Sequence, residues 1–391
     1  MPTVCLYLQV HQPHRIRPFS YFEAANSNDY LDTKLNTEII SRVASRCYLP
    51  ICASLQRAIA RHKGRFSVAL SLSGTVVEQM ISCAPDALKA FQALVASGGV
   101  ELLAETYHHS LASVSGDLEE FRWQVRAHKA LIEREFGVVP RVFRNTELIH
   151  SDTIAKEIES LGFRAVIVEG IPEILGGREL SAIYQAHGSE LRLLPRNCPL
   201  SDLIAFRLRD GGDNGFSLSP VDVSARIKEL CAPDGVVTIG LDCETFGEHH
   251  QGSSEIVDFI EGVADSLLED PNWRFATPTR IAAESCPSSE LCFVENRSWA
   301  DTEKDLSPWL GNAMQSAAFK RIYADEFRKI CPPDLWRYLQ TSDHFYYMSN
   351  KGGPDGDVHR YFRPFGSPYE AFIAYMNVLR GISVKAALVS A

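Results

Sequence analysis

Short apolar, β-branched runs alternate with helix-periodic segments roughly seven times before Pro287. That alternation constrains the fold more than any other feature of the chain. The strand-like runs lie at 4–10, 66–72, 100–104, 141–143, 164–168, 191–195, 204–208, 236–241 and 274–278. Helical periodicity covers 36–61, 75–96, 118–136, 222–231 and 253–268, with Pro50 as a break or kink and Pro85 as an interruption. Asp152 is expected to cap one further helix, which Gly162 ends, and 211–215 is a glycine-rich turn cluster. Strands that alternate with helices build parallel βαβ units, and this number of repeats suits a closed or nearly closed barrel.

In such a barrel, functional side chains collect at the carboxyl ends of the strands. Here those ends carry His11, then Glu105 with Tyr107, His108 and His109, then Arg144 and Glu147, then Glu169. The run 236–241 opens abruptly into Asp242 and Glu244, followed by Phe246, Glu248, His249 and His250. Groups far apart in sequence are therefore expected to converge on one rim. From residue 288 the rhythm becomes helical, over 309–330, 335–347 and 369–384, with a loop at 351–356. The chain thus divides into a barrel over 1–287 and a C-terminal helical region over 288–391. The aromatics of that region, among them Trp299, Trp309, Trp336 and Phe345, have a plain packing use as helix anchors.

Composition narrows the partners. At 391 residues and 45% apolar content, the chain can bury a large core without disulfide support. A net charge of -10 with interleaved signs disfavours nucleic acid or an anionic membrane surface as partner. The ten cysteines are scattered and no C-x-x-C occurs, so most of them read as buried small hydrophobes in a reducing compartment. The first residues enter a strand pattern without a basic leader, and no apolar run approaches the ~20 residues of a membrane span. A cytoplasmic location is expected.

Four segments in order, His11-Gln12-Pro13, 98–109, Phe143-Arg144-Asn145-Thr146-Glu147-Leu148 and Leu241-Asp242-Cys243-Glu244-Thr245-Phe246-Gly247, resemble glycoside hydrolase family 57. The blocks 299–312 and Ser342-Asp343-His344 are similar to its helical region. The resemblance implies an incomplete (β/α)7 barrel followed by helices, in an α/β protein. It also implies α-glucan chemistry with retention of anomeric configuration, as in α-amylases, 4-α-glucanotransferases and branching enzymes. On this chain it makes Glu147 the nucleophile and Asp242 the general acid/base, and it makes His11 and His109 substrate contacts. No cofactor or metal is implied. Where family members often carry aromatics after Phe-Gly, this chain has Glu248-His249-His250, which puts the neighbouring sugar subsite in doubt.

Chemistry asks for the same pairing. A retaining glycosidase needs two carboxyl groups about 5–5.5 Å apart, one to attack the anomeric carbon and one to protonate the leaving oxygen. Two strand ends reach that separation more readily than Asp242 and Glu244, two residues apart on one strand end. Glu244 is then a supporting or hydroxyl-binding group, and Tyr107, Phe246 and Trp309 are candidates to stack on glucose rings. The expected activity is α-amylase-like hydrolysis of an α-1,4-glucan or maltooligosaccharide, with transfer or branching as the alternative. Two readings of other classes stand beside it. A zinc-dependent polysaccharide deacetylase would need two His and one Asp as ligands, but the H-x-x-x-H spacing is absent and His108 and His109 alternate in direction. A glucan-binding homologue without catalysis is disfavoured because both carboxylates are present.

Overall fold

The computed structural model describes residues 1–23, 27–116, 118–208, 218–250 and 254–390. The expected turn cluster at 211–215 and the first residue of the helix expected at 253 lie outside them. Ten strands form one sheet: β1 Thr3–Val10, β2 Val68–Leu72, β3 Val100–Leu102, β4 Val142–Arg144, β5 Ala165–Glu169, β6 Tyr184–Ala186, β7 Arg192–Arg196, β8 Val236–Asp242, β9 Arg274–Phe275 and β10 Glu290–Leu291. Parallel pairings run β1–β2–β3 in one direction and β1–β8–β7–β5–β4 in the other. A parallel bridge between Ala104 and Phe143 joins the two ends. The β7–β8 seam is thin, a single pair between Arg196 and Thr238.

Strand side chains alternate between two faces, and the packing follows that period of two. Val4, Leu6, Leu8 and Val10 of β1, with Val237, Ile239 and Leu241 of β8, meet the surrounding helices. The intervening Cys5, Tyr7 and Val236 pack with Ala69, Leu103, Val142, Ala165, Ile167 and Leu194 in a separate inner cluster. Gly240 belongs to that inner face: a Cβ there would collide with the Tyr7 ring. A third cluster mixes Phe143, Val166 and Leu193 with Trp309, Trp336 and Tyr375, so the C-terminal helices share a core with the sheet. The sheet itself reaches past residue 287, since β10 pairs with β6.

Several local expectations change. The segment expected as a strand at 204–208 lies at the end of the helix Cys198–Arg207. Asn197 caps that helix by accepting from Leu200 N–H, and Pro199 in the first turn costs no hydrogen bond there. Pro50 does not end its helix. The chain runs Thr33–Val43, a π segment Ala44–Tyr48 and Leu49–His62, and the wider turns before Pro50 absorb its missing N–H. Ser151, not Asp152, caps the helix Asp152–Ser160, while the Asp152 carboxylate accepts from Phe293 N–H. The loop expected at 351–356 enters a helix, Gly353–Phe362. The last helix, Pro368–Ser390, is longer than expected, and at 23 residues it has the length and apolar content of a span. Its Ala371, Tyr375, Val378 and Leu379 are buried against the helical core.

Candidate active site

Above the inner apolar cluster the same alternation places a polar layer. On β1, Cys5 and Tyr7 lead to Gln9; on β8, Val236 leads through Thr238 and Gly240 to Asp242. Val142 leads to Arg144, Ile167 to Glu169, and Leu194 to Arg196. Asp242, the last residue of β8, therefore faces the interior because it stands six positions after an inward Val236.

Glu147 sits just past β4 in the turn Thr146–Leu148, with φ of 55° followed by 50° at Leu148. Two consecutive non-glycine residues in the left-handed region store strain, which the surroundings must hold in place. They do so from the C-terminal part of the chain. The Trp299 indole Nε1 donates to Glu147 Oε2 at 2.8 Å, Ser342 Oγ donates to Oε1 at 2.9 Å, and Trp299 N–H donates to the Glu147 carbonyl at 3.2 Å. His109 Nε2 lies 3.5 Å from Glu147 Oε1.

His109 and His11 stack with ring centroids 4.0 Å apart, and each has its own carboxylate. His109 Nδ1 bonds Glu105 Oε2 at 2.8 Å; His11 Nε2 bonds Asp343 Oδ2 at 2.9 Å and its Nδ1 bonds Ser73 Oγ at 2.7 Å. The two imidazoles are nevertheless driven apart. Burial opposes a charge on His109, but bonds to Glu105 and Glu147 outweigh it and raise it to about 9. Burial, with the neighbouring His109 charge, lowers His11. Glu105 is the other half of the pair: burial would raise it, yet the His109 bond and charge bring it down to about 2.

The carboxyls diverge as well. Burial pushes Asp242 up to about 6, with Glu147 adding to the rise while Arg144, His109 and Arg196 work against it. Burial also acts upward on Glu147, but the His109 bond and charge, Arg144 and Trp299 hold it below the ordinary carboxylate range. Glu244, buried beside Asp242, rises to about 8 although Tyr48 Oη donates to it at 2.5 Å and His11 N–H at 3.3 Å. At neutral pH the site thus holds an ionised carboxylate and a carboxyl poised near protonation, as acid–base chemistry requires.

These groups open onto one cavity of about 530 Å³. His11, His109, Glu147, Asp242 and Glu244 all line it. The three aromatics expected to stack on sugar do not. Trp309 is fully buried among the C-terminal helices. Phe246 is fully buried against the helix-facing core. Tyr107 packs over Gly74 and donates to Glu78 at 2.7 Å, away from the cavity. A residue next to a motif does not share its direction. The cavity takes Trp299, Tyr346, Tyr347, Phe206 and Phe362 instead.

Trp299, Ser342, Asp343 and Arg196 were not singled out as site residues from the sequence. For the first three the only signal was the similarity of their blocks to the family's helical region. Arg196 follows from the inward parity of β7 and bonds the Gly240 carbonyl at 2.9 Å, Glu169 at 3.1 Å and Asp202 at 2.6 Å.

Among the described residues the histidines do not gather as a metal set. Both ring nitrogens of His11 and of His109 face the partners given above, and His108 lies apart, against Tyr107 and Tyr338. Among the described residues one group, Asp301, Glu303 and Asp355, brings three candidate ligand atoms together. Lys351 Nζ already bridges Asp301 and Glu303 there, at 2.8 and 2.7 Å.

A parallel α/β sheet with a carboxylate-lined cavity at its strand ends defines the class. Within it, the chain belongs to glycosyl hydrolase family 57, whose model matches residues 5–291. Membership places it among the glycosidases. It is 35% identical over 392 residues to a Methanocaldococcus jannaschii protein named "Putative alpha-amylase", covering 95% of this chain and 82% of that one. Solved structures share the fold at low identity. A family 57 branching enzyme from Thermococcus kodakaraensis superimposes with a TM-score of 0.66 at 15% identity, over 92% of this chain and 87% of that one. The α-amylase AmyC of Thermotoga maritima gives 0.60 at 11%, over 99% and 97%. The 4-α-glucanotransferase of Thermococcus litoralis gives 0.62 at 16% over 88% of this chain, which spans about half (51%) of that enzyme's length.

Proposed function

We propose that the protein is a retaining, α-amylase-like glycosidase acting on α-1,4-glucans, with Glu147 as nucleophile and Asp242 as general acid/base. The ring of parallel strands is read as the family's incomplete (β/α)7 barrel over 1–287, and 288–391 as the helical region that completes the cleft. The observation that carries this reading is the opposite bias of two carboxyls on one cavity: Glu147 held ionised, Asp242 raised to about 6.

In the first step a Glu147 oxygen attacks the anomeric carbon of the bound glucose, the glycosidic C–O bond breaks, and Asp242 gives its proton to the departing oxygen. Asp242 is left as a carboxylate beside a glycosyl ester. In the second step water attacks the same carbon, Asp242 takes the water proton, and Glu147 leaves as carboxylate. Glu244 supplies a bond to a sugar hydroxyl through its second oxygen, His11 lines the same cavity with both ring nitrogens bonded to Ser73 and Asp343, and His109 keeps Glu147 ionised. If a glucan hydroxyl replaces water, the same site performs transfer, in line with the glucanotransferase and branching relatives.

The test is turnover and product analysis on maltoheptaose. Glu147→Gln and Asp242→Asn are each expected to abolish turnover while the fold survives, with the α-anomer released first by the wild type. Wild-type activity in either variant would remove that residue from its role. Products longer than the substrate would select transfer over hydrolysis.

A further inference from the structure

Two guanidinium groups press on the ring of Trp299, Arg144 with its carbon 4.9 Å and Arg196 with its carbon 5.3 Å from the centroid. They are not equivalent. Arg196 is neutralised by Glu169 and Asp202 and bonds the Gly240 carbonyl. Arg144 is completely buried, yet among the described residues none of its three side-chain nitrogens finds a hydrogen-bond partner. An ionised group out of water without a paired acceptor is costly, and such groups concentrate where their field is used. Its position follows from the fold: Val142 points inward, Phe143 outward and Arg144 inward again, at the carboxyl end of β4.

We propose that Arg144 is a positioning residue whose unpaired charge, buried behind Trp299, limits the Glu147–Asp242 pair to a single proton, carried by Asp242. The proposal rests on the catalytic reading above and deepens it. The other groups around the pair are already committed. His109 is bonded to Glu105, Arg196 to Glu169 and Asp202, Glu244 to Tyr48, and His11 to Asp343. Tyr7 and Tyr346 also face Asp242 but are neutral until strongly alkaline pH. Arg144 is the cation in this set that carries no neutralising partner of its own. Its charge favours the ionised form of both Asp242 and Glu147, and it acts on Glu105 too. The cation–π contact with Trp299 holds the guanidinium in place without cancelling its charge. When Glu147 becomes an ester and loses its charge, Arg144 faces Asp242 alone, which favours the carboxylate needed to accept the proton of water.

The test compares Arg144→Met, Arg144→Gln and Arg144→Lys in the full chain. The pH profile of kcat/KM on maltoheptaose is measured alongside the ¹³C titration of the Asp242 carboxyl, assigned by its loss in Asp242→Asn. The neutral variants are expected to move both limbs of the profile, and the Asp242 titration, upward by about one pH unit. Arg144→Lys is expected to leave them near the wild type. Unshifted titrations in the neutral variants, or an equal shift in Arg144→Lys, would overturn the proposal. So would unfolding of both neutral variants while the lysine variant folds, because the charge would then serve folding. The carboxyl titration is read whatever reaction the enzyme performs, so a failure of the glycosidase reading shows separately, as activity surviving in Glu147→Gln and Asp242→Asn.

Discussion

The indole Nε1 of Trp299 donates to Glu147 Oε2 at 2.8 Å, and so ties the region after the sheet to a carboxylate at its rim. Trp299 also gives its backbone N–H to the Glu147 carbonyl at 3.2 Å, bracing a residue whose φ is 55°. A bond to the ionised form of a carboxylate both aims it and lowers its pKa. Trp299→Phe keeps a ring against Arg144 but removes the donor. The expected result is a fall in kcat/KM on the order of tenfold or more, matching about 1.5–3 kcal/mol for a hydrogen bond to a charged group. The acid limb of the pH profile should rise with it. An unchanged acid limb and rate would mean that the indole does not govern Glu147.

The pH dependence of the wild type follows from the two carboxyls. In the proposed mechanism Asp242 must be protonated to act first; it is raised to about 6, so kcat/KM is expected to decline as pH rises through about 6. Glu147 must be ionised and is held below its ordinary range, so the acid limb should lie below that of a free glutamate. The optimum then falls on the acidic side of neutrality. A profile that stays flat to pH 8 would count against Asp242 as the proton donor. Glu244, raised to about 8, would then be the carboxyl to examine.

How much of this was legible in the sequence depended on direction. Alternation of strands and helices, and the carboxylates at strand ends, gave the parallel sheet and brought Glu147 and Asp242 toward one rim. Parity along a strand is a property of the residue string, but 236–241 is apolar at both parities, so the inward direction of Asp242 came only with the fold. Segments such as 204–208 misled because an amphipathic strand and a short buried helix carry similar apolar content, and the Asn197 cap decides between them. The contribution of Trp299, Ser342 and Asp343 was out of reach for a different reason. They join Glu147 and His11 across intervals of 152, 195 and 332 residues, and no local pattern encodes that contact.

The Glu105–His109 pair makes a claim about stability. His109 is raised to about 9, above its ordinary value of 6.5, so its contribution is complete below 6.5 and is lost as pH rises through about 9. Glu105 is depressed to about 2, so its contribution is present above its ordinary 4.5 and is lost as pH falls through about 2. The pair therefore supports the fold most between about 4.5 and 6.5. Denaturant midpoints of wild type and Glu105→Gln, measured from pH 4 to 10, should differ most in that window and converge toward pH 10. A difference that does not vary with pH would show that the lost contact is packing and not charge.

Trp309 offers the sharpest separation of packing from binding. Its place in a block similar to the family's helical region suggested a ring for stacking on glucose, but the side chain is fully buried. It packs in the cluster that holds Phe345, Tyr375 and Phe143, outside the residues that line the cavity. Its indole nitrogen is buried and has no hydrogen-bond partner among the described residues, so the ring contributes volume and apolar surface. Trp309→Ala should then cost roughly 3–5 kcal/mol of stability through the lost burial and the cavity left behind. Trp309→Phe should cost much less, since most of the ring volume stays and no bond is broken. Both variants, assayed at a temperature where they remain folded, should keep the wild-type KM for maltoheptaose. A sugar-stacking residue would behave in the opposite way, with KM rising severalfold and the melting temperature hardly moving. Paired melting curves and steady-state kinetics on the same preparations distinguish the two.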